Sequence, residues 1–270
     1  MIANAASPFD IAARTYDVDF THSGIGQLQR ERVWKFLTSL LEKTKRPLQV
    51  LEINCGTGED ALRLAGDGHT VIATDASAPM IAIAKEKLNA AYTTAAVVFE
   101  VCAFDELASR FDKQKFDLVY SNFGGLNCID KKALSKLSNQ LSDLLQPDGQ
   151  LVFVIMGSKC LWEIFYNTVR GKFRTATRRW RSNAAFTING LTIPVYYYSP
   201  RKIKKIFSPL FARQEQHPVG LFIPPSYLEN KFAASPSRLQ RLNRLEKKWD
   251  HASLADLADH YFISFKKISP

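Results

Sequence analysis

Cysteine is scarce in this chain and methionine scarcer, with four Cys and three Met in 270 residues. Cys55, Cys102, Cys128 and Cys160 form no C-x-x-C pair and show no ligand-like spacing with any of the five histidines. That argues against a disulfide framework and against a metal site, and leaves free thiols in a reducing, cytoplasmic compartment as the expectation. The opening MIANAASPFDIAARTYD has no basic start followed by an apolar run, so no secretory signal is expected. No uninterrupted apolar stretch approaches the length of a membrane span. Internal repeats and low-complexity tracts are absent as well.

Acidic residues thin out in the second half. Residues 1–156 carry 16 Lys and Arg against 19 Asp and Glu, a net −3, whereas residues 157–270 carry 20 against 7, a net +13. The overall charge of +10 therefore belongs to the C-terminal part. Its basic surface faces either an anionic partner or plain solvent. The length suits one enlarged domain, or a core with a cap, and is enough for a substantial buried core.

What is present is a strand, a glycine turn and a helix, at LQVLEINCGTGEDALRLAGDGHTVIATD, Leu48–Asp75. Leu48–Ile53 reads as a buried strand, Asn54–Gly58 as a tight turn, Glu59–Ala65 as a helix, and Thr70–Thr74 as a second, parallel strand. Gly56 and Gly58 allow a sharp turn and close approach of a ligand. Asp75 follows Gly56 by 19 residues, a spacing that suits a carboxylate gripping a ribose. Glu52 sits inside the first strand, where a buried carboxylate needs a cationic or hydrogen-bonding partner. With Glu59 and Asp60 at the helix start, it would repel a diphosphate. A ligand bearing an ammonium and a sulfonium fits better.

The rest of the chain supplies further βα units. Before the first strand come a short helix near Phe9–Tyr16 and a longer one over Gln27–Lys43. Ser77 caps a helix over Ala78–Ala90, and Val97–Cys102 and Phe116–Asn122 read as strands. The turn Ser121–Asn127 follows the strand expected beside the first, so it should line the site. Asp130 caps a helix to Leu145 with leucines three and four residues apart, and Pro147-Asp148-Gly149 turns into a fifth strand, Gln150–Met156. Lys159–Trp180 reads as one cationic amphipathic helical stretch. In Phe186–Tyr198, Asn189-Gly190 signals a hairpin. A helix over Ser199–Phe207, a strand over Arg213–Val219, a loop over Gly220–Pro225, a basic helix over Ser237–Asp250 and a final strand, His260–Lys267, complete the reading.

LEINCGTGEDA, VIATDAS and the P-D-G turn resemble the class I S-adenosylmethionine-dependent methyltransferases, with Asn54 standing where the first glycine of their acidic-x-Gly-x-Gly-x-Gly loop usually sits. Asn tolerates the left-handed backbone such a place requires. The resemblance implies an α/β fold: a Rossmann-like seven-stranded, mostly parallel sheet with helices on both faces and an antiparallel last strand between the fifth and sixth. It implies a helical lid over residues 1–46 and a core of residues 47–156, 199–219 and 259–270. Residues 157–198 and 220–258 are then cap insertions. The implied cofactor is S-adenosyl-L-methionine, with S-adenosylhomocysteine as product. Its methionine end would meet Tyr16, Glu52, Asn54, Gly56, Thr57, Gly58, Phe123 and a carbonyl near Asn122. Its ribose would meet Asp75, and its adenine Ala76, Met80 and the backbone of Ala103 or Phe104.

Methyl transfer from a sulfonium requires the acceptor and the methyl held in line, and gains from a general base where the acceptor is a phenol, hydroxyl or activated carbon. The candidates for that base are His22, Tyr16, His217 and Tyr197. Asn127, Trp162, Phe165, Tyr166, Tyr196 and Phe222 are the candidates to contact the acceptor, with Arg178, Arg179 and Arg181 serving it electrostatically. An aromatic cap studded with arginine suits a small or medium-sized acceptor that is partly apolar, with room for an anionic group, free or presented by an acidic carrier protein or an anionic membrane surface. Two other readings stay open. One is a nucleic-acid methyltransferase, against which stand the absent Asn/Asp-Pro-Pro-aromatic turn and the absent Pro-Cys nucleophile. The other is a regulatory protein that binds the cofactor without turnover.

Overall fold

A central seven-stranded sheet runs in the order β3-β2-β1-β4-β5-β9-β8. The structure is a computed structural model that describes residues 7–91, 95–181, 184–188 and 191–268. The strands are β1 (Gln49–Ile53), β2 (Thr70–Asp75), β3 (Val97–Val101), β4 (Phe116–Ser121), β5 (Leu145–Met156), β6 (Ala184–Ile188), β7 (Leu191–Val195), β8 (Phe211–Val219) and β9 (His260–Lys267). The helices are α1 (Pro8–Tyr16), α2 (Gly24–Leu41), α3 (Glu59–Gly66), α4 (Ala78–Ala90), α5 (Leu107–Arg110), α6 (Lys131–Leu144), α7 (Leu161–Val169), α8 (Phe173–Ala176), α9 (Pro200–Phe207), α10 (Glu229–Phe232) and α11 (Pro236–Lys248). Strands β3, β2, β1, β4 and β5 are parallel, and β9 is antiparallel to both β5 and β8. This is the seven-stranded arrangement expected from the sequence.

Side-chain alternation along the strands sorts the helices into two layers. Val50 of β1, Leu118 and Tyr120 of β4, and Val152 and Val154 of β5 pack on α2, α3 and α4 through Val33, Leu37, Leu64 and Ile81. Leu51, Ile53, Val119, Phe153 and Ile155 point the other way, onto Leu107, Leu137, Leu141 and Phe207 of α5, α6 and α9. Each such buried side chain contributes roughly 1.5–3 kcal/mol over leaving it in water. Glu52 shares the face of Val50, so the pleat itself aims a carboxyl at α2 and α3.

Boundaries differ from expectation in a few places. The stretch Lys159–Trp180 is not one helix: Gly171, at φ 70°, ends it. There α7 stops, α8 forms, and a 3-10 turn follows at Arg178–Trp180. Strand β5 starts five residues early, because Leu145 already pairs with Phe116 before the Asp148 turn shifts the register. The hairpin strands β6 and β7 pair antiparallel, while Asn189 and Gly190, expected to turn them, lie outside the described residues. Helix α1 continues into a π-helical turn, Asp17–Thr21.

Candidate active site

The strand order reverses between β1 and β4, and the loops after these strands meet at the carboxyl edge of the sheet. In the turn after β1, Asn54, Gly56 and Gly58 all adopt positive φ, at 56°, 55° and 79°. Asn54 does more than tolerate this backbone. Its Nδ2 donates to the Asn122 carbonyl at 2.8 Å, and its Oδ1 accepts from Ser121 Oγ at 2.5 Å, stapling the two loops together. A Cβ on Gly125 would lie 2.2 Å from Asn54 Cγ, so Gly125 gives the room that Asn54 takes. Gly58 answers to packing, because a Cβ there would lie 2.7 Å from the Phe99 ring. Asp75 closes the turn. Its two oxygens accept from the Gly56 and Ser77 N–H groups, each at 2.9 Å. Burial raises its pKa although both donors act to lower it.

Helix α1 and the π-helical turn lie over this loop. Asp10 accepts from Ser77 Oγ at 2.5 Å, and Asp17 accepts from Thr57 Oγ1 at 2.6 Å while pairing with Lys87 at 2.7 Å. The Tyr16 ring comes within 3.8 Å of the place a Gly56 Cβ would take. Burial pushes the Tyr16 phenol up to about 12.

Beneath α1 and the π-helical turn is a buried charge network. Asp60 accepts from Arg30 Nη1 at 2.5 Å, from Trp34 Nε1 at 2.7 Å and from Asn122 Nδ2 at 2.6 Å. Burial works to raise the Asp60 carboxyl, but Arg30 and the other two donors outweigh it and hold the group below its ordinary value. The Arg30 guanidinium sits 5.2 Å from the centre of the Phe123 ring and 5.9 Å from that of Phe20. Glu52 pairs in register with Tyr120 and is 1% exposed. Burial, reinforced by the Asp60 charge and opposed by Arg30, drives its pKa well above the ordinary range. Glu52 Oε2, the Tyr120 hydroxyl and Arg30 Nε are all buried without a hydrogen-bond partner among the described residues. Such orphaned polar atoms call for a ligand. An acceptor beside a cation suits the ammonium and carboxylate of an amino-acid tail.

The other expected cofactor contacts lie around the same edge. Thr57 and Met80 are buried and Ala76 is exposed. Phe123 holds φ 43° beneath Arg30. The Ala103 N–H is engaged by Glu106 at 2.8 Å, and Phe104 packs partly into the core. The Asn122 carbonyl, expected to take an ammonium, already accepts from Asn54 and retains its second lone pair.

The acceptor side departs further from expectation. Asn127 is fully buried and acts as a brace: it donates to the Met156 and Tyr196 carbonyls at 3.1 and 2.6 Å and accepts from the Met156 N–H at 2.9 Å. Both of its amide protons and its oxygen are engaged internally. Arg178 and Arg179, expected to serve the acceptor, converge instead on Glu163, which is 1% exposed. Arg179 also reaches Asp259 at 2.6 Å and covers the buried Tyr197 ring at 5.1 Å. Arg181 is exposed. Trp162 Nε1 donates to the Phe222 carbonyl at 2.7 Å, pinning α7 to the loop after β8. Tyr166 lies between Arg170 and Lys231, and Phe165 is 67% exposed. His217 stacks on Phe36 at 4.0 Å and contacts Asp250 at 2.9 Å, away from the glycine turn on strand β8 at the sheet's edge. His22 is exposed at the end of the π-helical turn.

Sequence reasoning passed over Arg30 and His260, and read Asp60 only as negative charge at the helix start. Nothing local marked Arg30, which lies in the polar run Gln29-Arg30-Glu31-Arg32 of α2. His260 carried no signal, because only the antiparallel insertion of β9 brings its first residue to the carboxyl edge. There His260 pairs with Met156 and Val219, the last residues of β5 and β8. Its ring meets Phe123 edge-on at 5.6 Å, and Nδ1 lies 3.1 Å from Asp259 Oδ2, off the line of a hydrogen bond.

The strand order and the parallel core are those of the α/β, Rossmann-like methyltransferase fold. Residues 50–149 match a family profile described as "Methyltransferase domain". The chain is 28% identical over 166 residues to tRNA 5-carboxymethoxyuridine methyltransferase of Escherichia coli (strain K12), covering 61% of each chain. It is 31% identical over 159 residues to malonyl-[acyl-carrier protein] O-methyltransferase of Pseudescherichia vulneris, covering 59% of this chain and 56% of the relative. The match thus spans less than two thirds of either relative. Among solved structures, the CcbJ methyltransferase from Streptomyces caelestis superposes with a TM-score of 0.62 at 16% identity, over 98% of this chain and 99% of that one.

Proposed function

We propose that the protein transfers a methyl group from S-adenosylmethionine to a small or medium-sized, partly apolar acceptor. The observation that carries this is the trio of partnerless buried atoms on Glu52, Tyr120 and Arg30 beside the glycine turn. Asp75 would hold the ribose, Glu52 the ammonium and Arg30 the carboxylate. The bound cofactor would supply an electrophilic methyl group and leave as S-adenosylhomocysteine. The chain's own part is to hold the acceptor in line, worth about 7–11 kcal/mol, and to exclude water by laying α1 over the turn. For an acceptor that must lose a proton, His260 Nε2 is the base this reading assigns. With Nδ1 facing Asp259, the other nitrogen is left to the acceptor.

A calorimetric titration tests the site. Asp75→Ala should weaken S-adenosylmethionine binding by about 10- to 100-fold, as expected for hydrogen bonds to a charged group, with an unchanged circular dichroism spectrum. Unchanged affinity would remove the ribose role. The acceptor class is tested by incubating the protein and a labelled methyl donor with extract of the source organism, then separating lipid, small-molecule and RNA pools. Label in either of the first two supports this reading. Label confined to RNA would overturn it in favour of a nucleic-acid acceptor, the class on which the Escherichia coli relative acts by name.

A further inference from the structure

Helix α7 is built inside out. Its buried positions are Glu163 and Asn167, and its exposed face carries Leu161, Phe165 and Val169 at 45%, 67% and 72% exposure. A carboxylate faces inward because the protein neutralises it there, through Arg178 and Arg179. Asn167 is likewise satisfied, donating to the Glu163 carbonyl at 2.9 Å. With the inward face committed to polar groups, the four-residue spacing drives the apolar stripe outward. Helix α8 folds back against α7 and extends the same character, with Phe173 64% exposed and Trp180, just beyond it, 62% exposed.

The charges around this stripe are of one sign. Residues 157–181 contain seven Lys and Arg and a single acid, Glu163, which is buried. Arg170, Lys172, Arg174 and Arg181 are exposed and have no acidic partner among the described residues. Large apolar side chains, including a tryptophan, ringed by unpaired cations form the pattern of an interfacial segment, whose apolar groups enter the acyl boundary while the cations meet lipid phosphates. We propose that the outer face of α7 and α8 docks the protein on an anionic membrane surface. This stands independently of the methyl-transfer reading, because it rests on the outside of the cap and needs no cofactor.

The test is co-sedimentation of the full chain, without cofactor, with vesicles of phosphatidylcholine alone and of an equimolar mixture of phosphatidylcholine and phosphatidylglycerol. The protein should partition onto the mixed vesicles at least about tenfold more strongly, and the difference should shrink as salt is raised. Phe165→Asp combined with Val169→Asp should reduce partitioning by more than about tenfold with the thermal midpoint preserved, since both side chains face solvent. Arg170→Glu with Arg174→Glu provides a second variant that leaves the apolar stripe untouched and should reduce binding to the mixed vesicles alone. Failure to bind either vesicle, equal binding to both, or retention of full binding by both variants would overturn the proposal. Tight binding of a purified acidic carrier protein to this face without vesicle binding would likewise overturn it, assigning the surface to a protein partner.

Discussion

Glu52 is a buried carboxyl with one oxygen unused, and its raised pKa is the consequence. A cation placed beside it stabilises the charged form, so cofactor binding should lower the Glu52 pKa and expel a proton. Affinity should then rise with pH until the group ionises unaided in the free protein. Calorimetry in two buffers of different ionisation enthalpy measures this directly. The apparent enthalpy should differ between buffers in wild type and agree between them in Glu52→Gln. Equal enthalpies in wild type would show that the carboxyl does not meet the cation. The acidic position itself was legible, because a carboxylate inside a buried strand needs a reason. Arg30 was not, since an arginine on an amphipathic helix is ordinarily taken to be on the wet face, and only the approach of α2 to α3 buries it against Asp60.

At the scale of elements, α7 and the turn after α8 are tied down by ion pairs, while α11 and the loop after β8 pack on α2 through Ile223, Leu239, Ile25 and Leu28. Glu163 on α7, Arg178 and Arg179 in the turn beyond α8, and Asp259 before β9 form one buried cluster. Removing Arg179 leaves Asp259 charged in the interior without its arginine. Arg179→Met should therefore destabilise the protein by about 3–5 kcal/mol, read as a lower urea midpoint. Asp259→Asn in the same background should recover part of the loss, because Asp259 is the charge that loses its arginine, whereas Glu163 keeps Arg178. A midpoint unchanged in Arg179→Met would show that the cluster is wet. This is also where sequence reasoning went astray. Apolar residues on a cationic helix were assigned to an acceptor pocket, but periodicity states only that a helix has two faces. Which face turns inward depends on what the opposite wall offers, and here that wall offers arginines.

For the whole molecule, two sets of carboxyls oppose each other in pH dependence. Asp60, Asp259, Asp17 and Asp250 have pKa values held below the ordinary one. Their contribution is complete above the unfolded value of about 3.9 and is lost as pH falls through the depressed folded values. Glu52 and Asp75 are raised. The folded state there binds more protons than the unfolded chain, so stability falls as pH rises from the ordinary value to the raised one. The free protein should accordingly have its highest thermal midpoint in mild acid, and saturating S-adenosylmethionine should move that maximum upward. A maximum that does not move on adding the cofactor would separate Glu52 from the binding site.

The sequence alone determined the strands, the glycine turn and the acidic residues around it, because each is written in local terms: alternation, turn chemistry and a carboxylate at a strand end. The antiparallel place of β9 was legible only through resemblance. Tertiary structure alone decided that Arg30 is buried against Asp60, that His260 reaches the carboxyl edge, and that Arg178 and Arg179 turn inward to Glu163 and Asp259. Those outcomes depend on pairings between segments 15 to more than 100 residues apart, and no local pattern encodes which distant partner a buried charge will find.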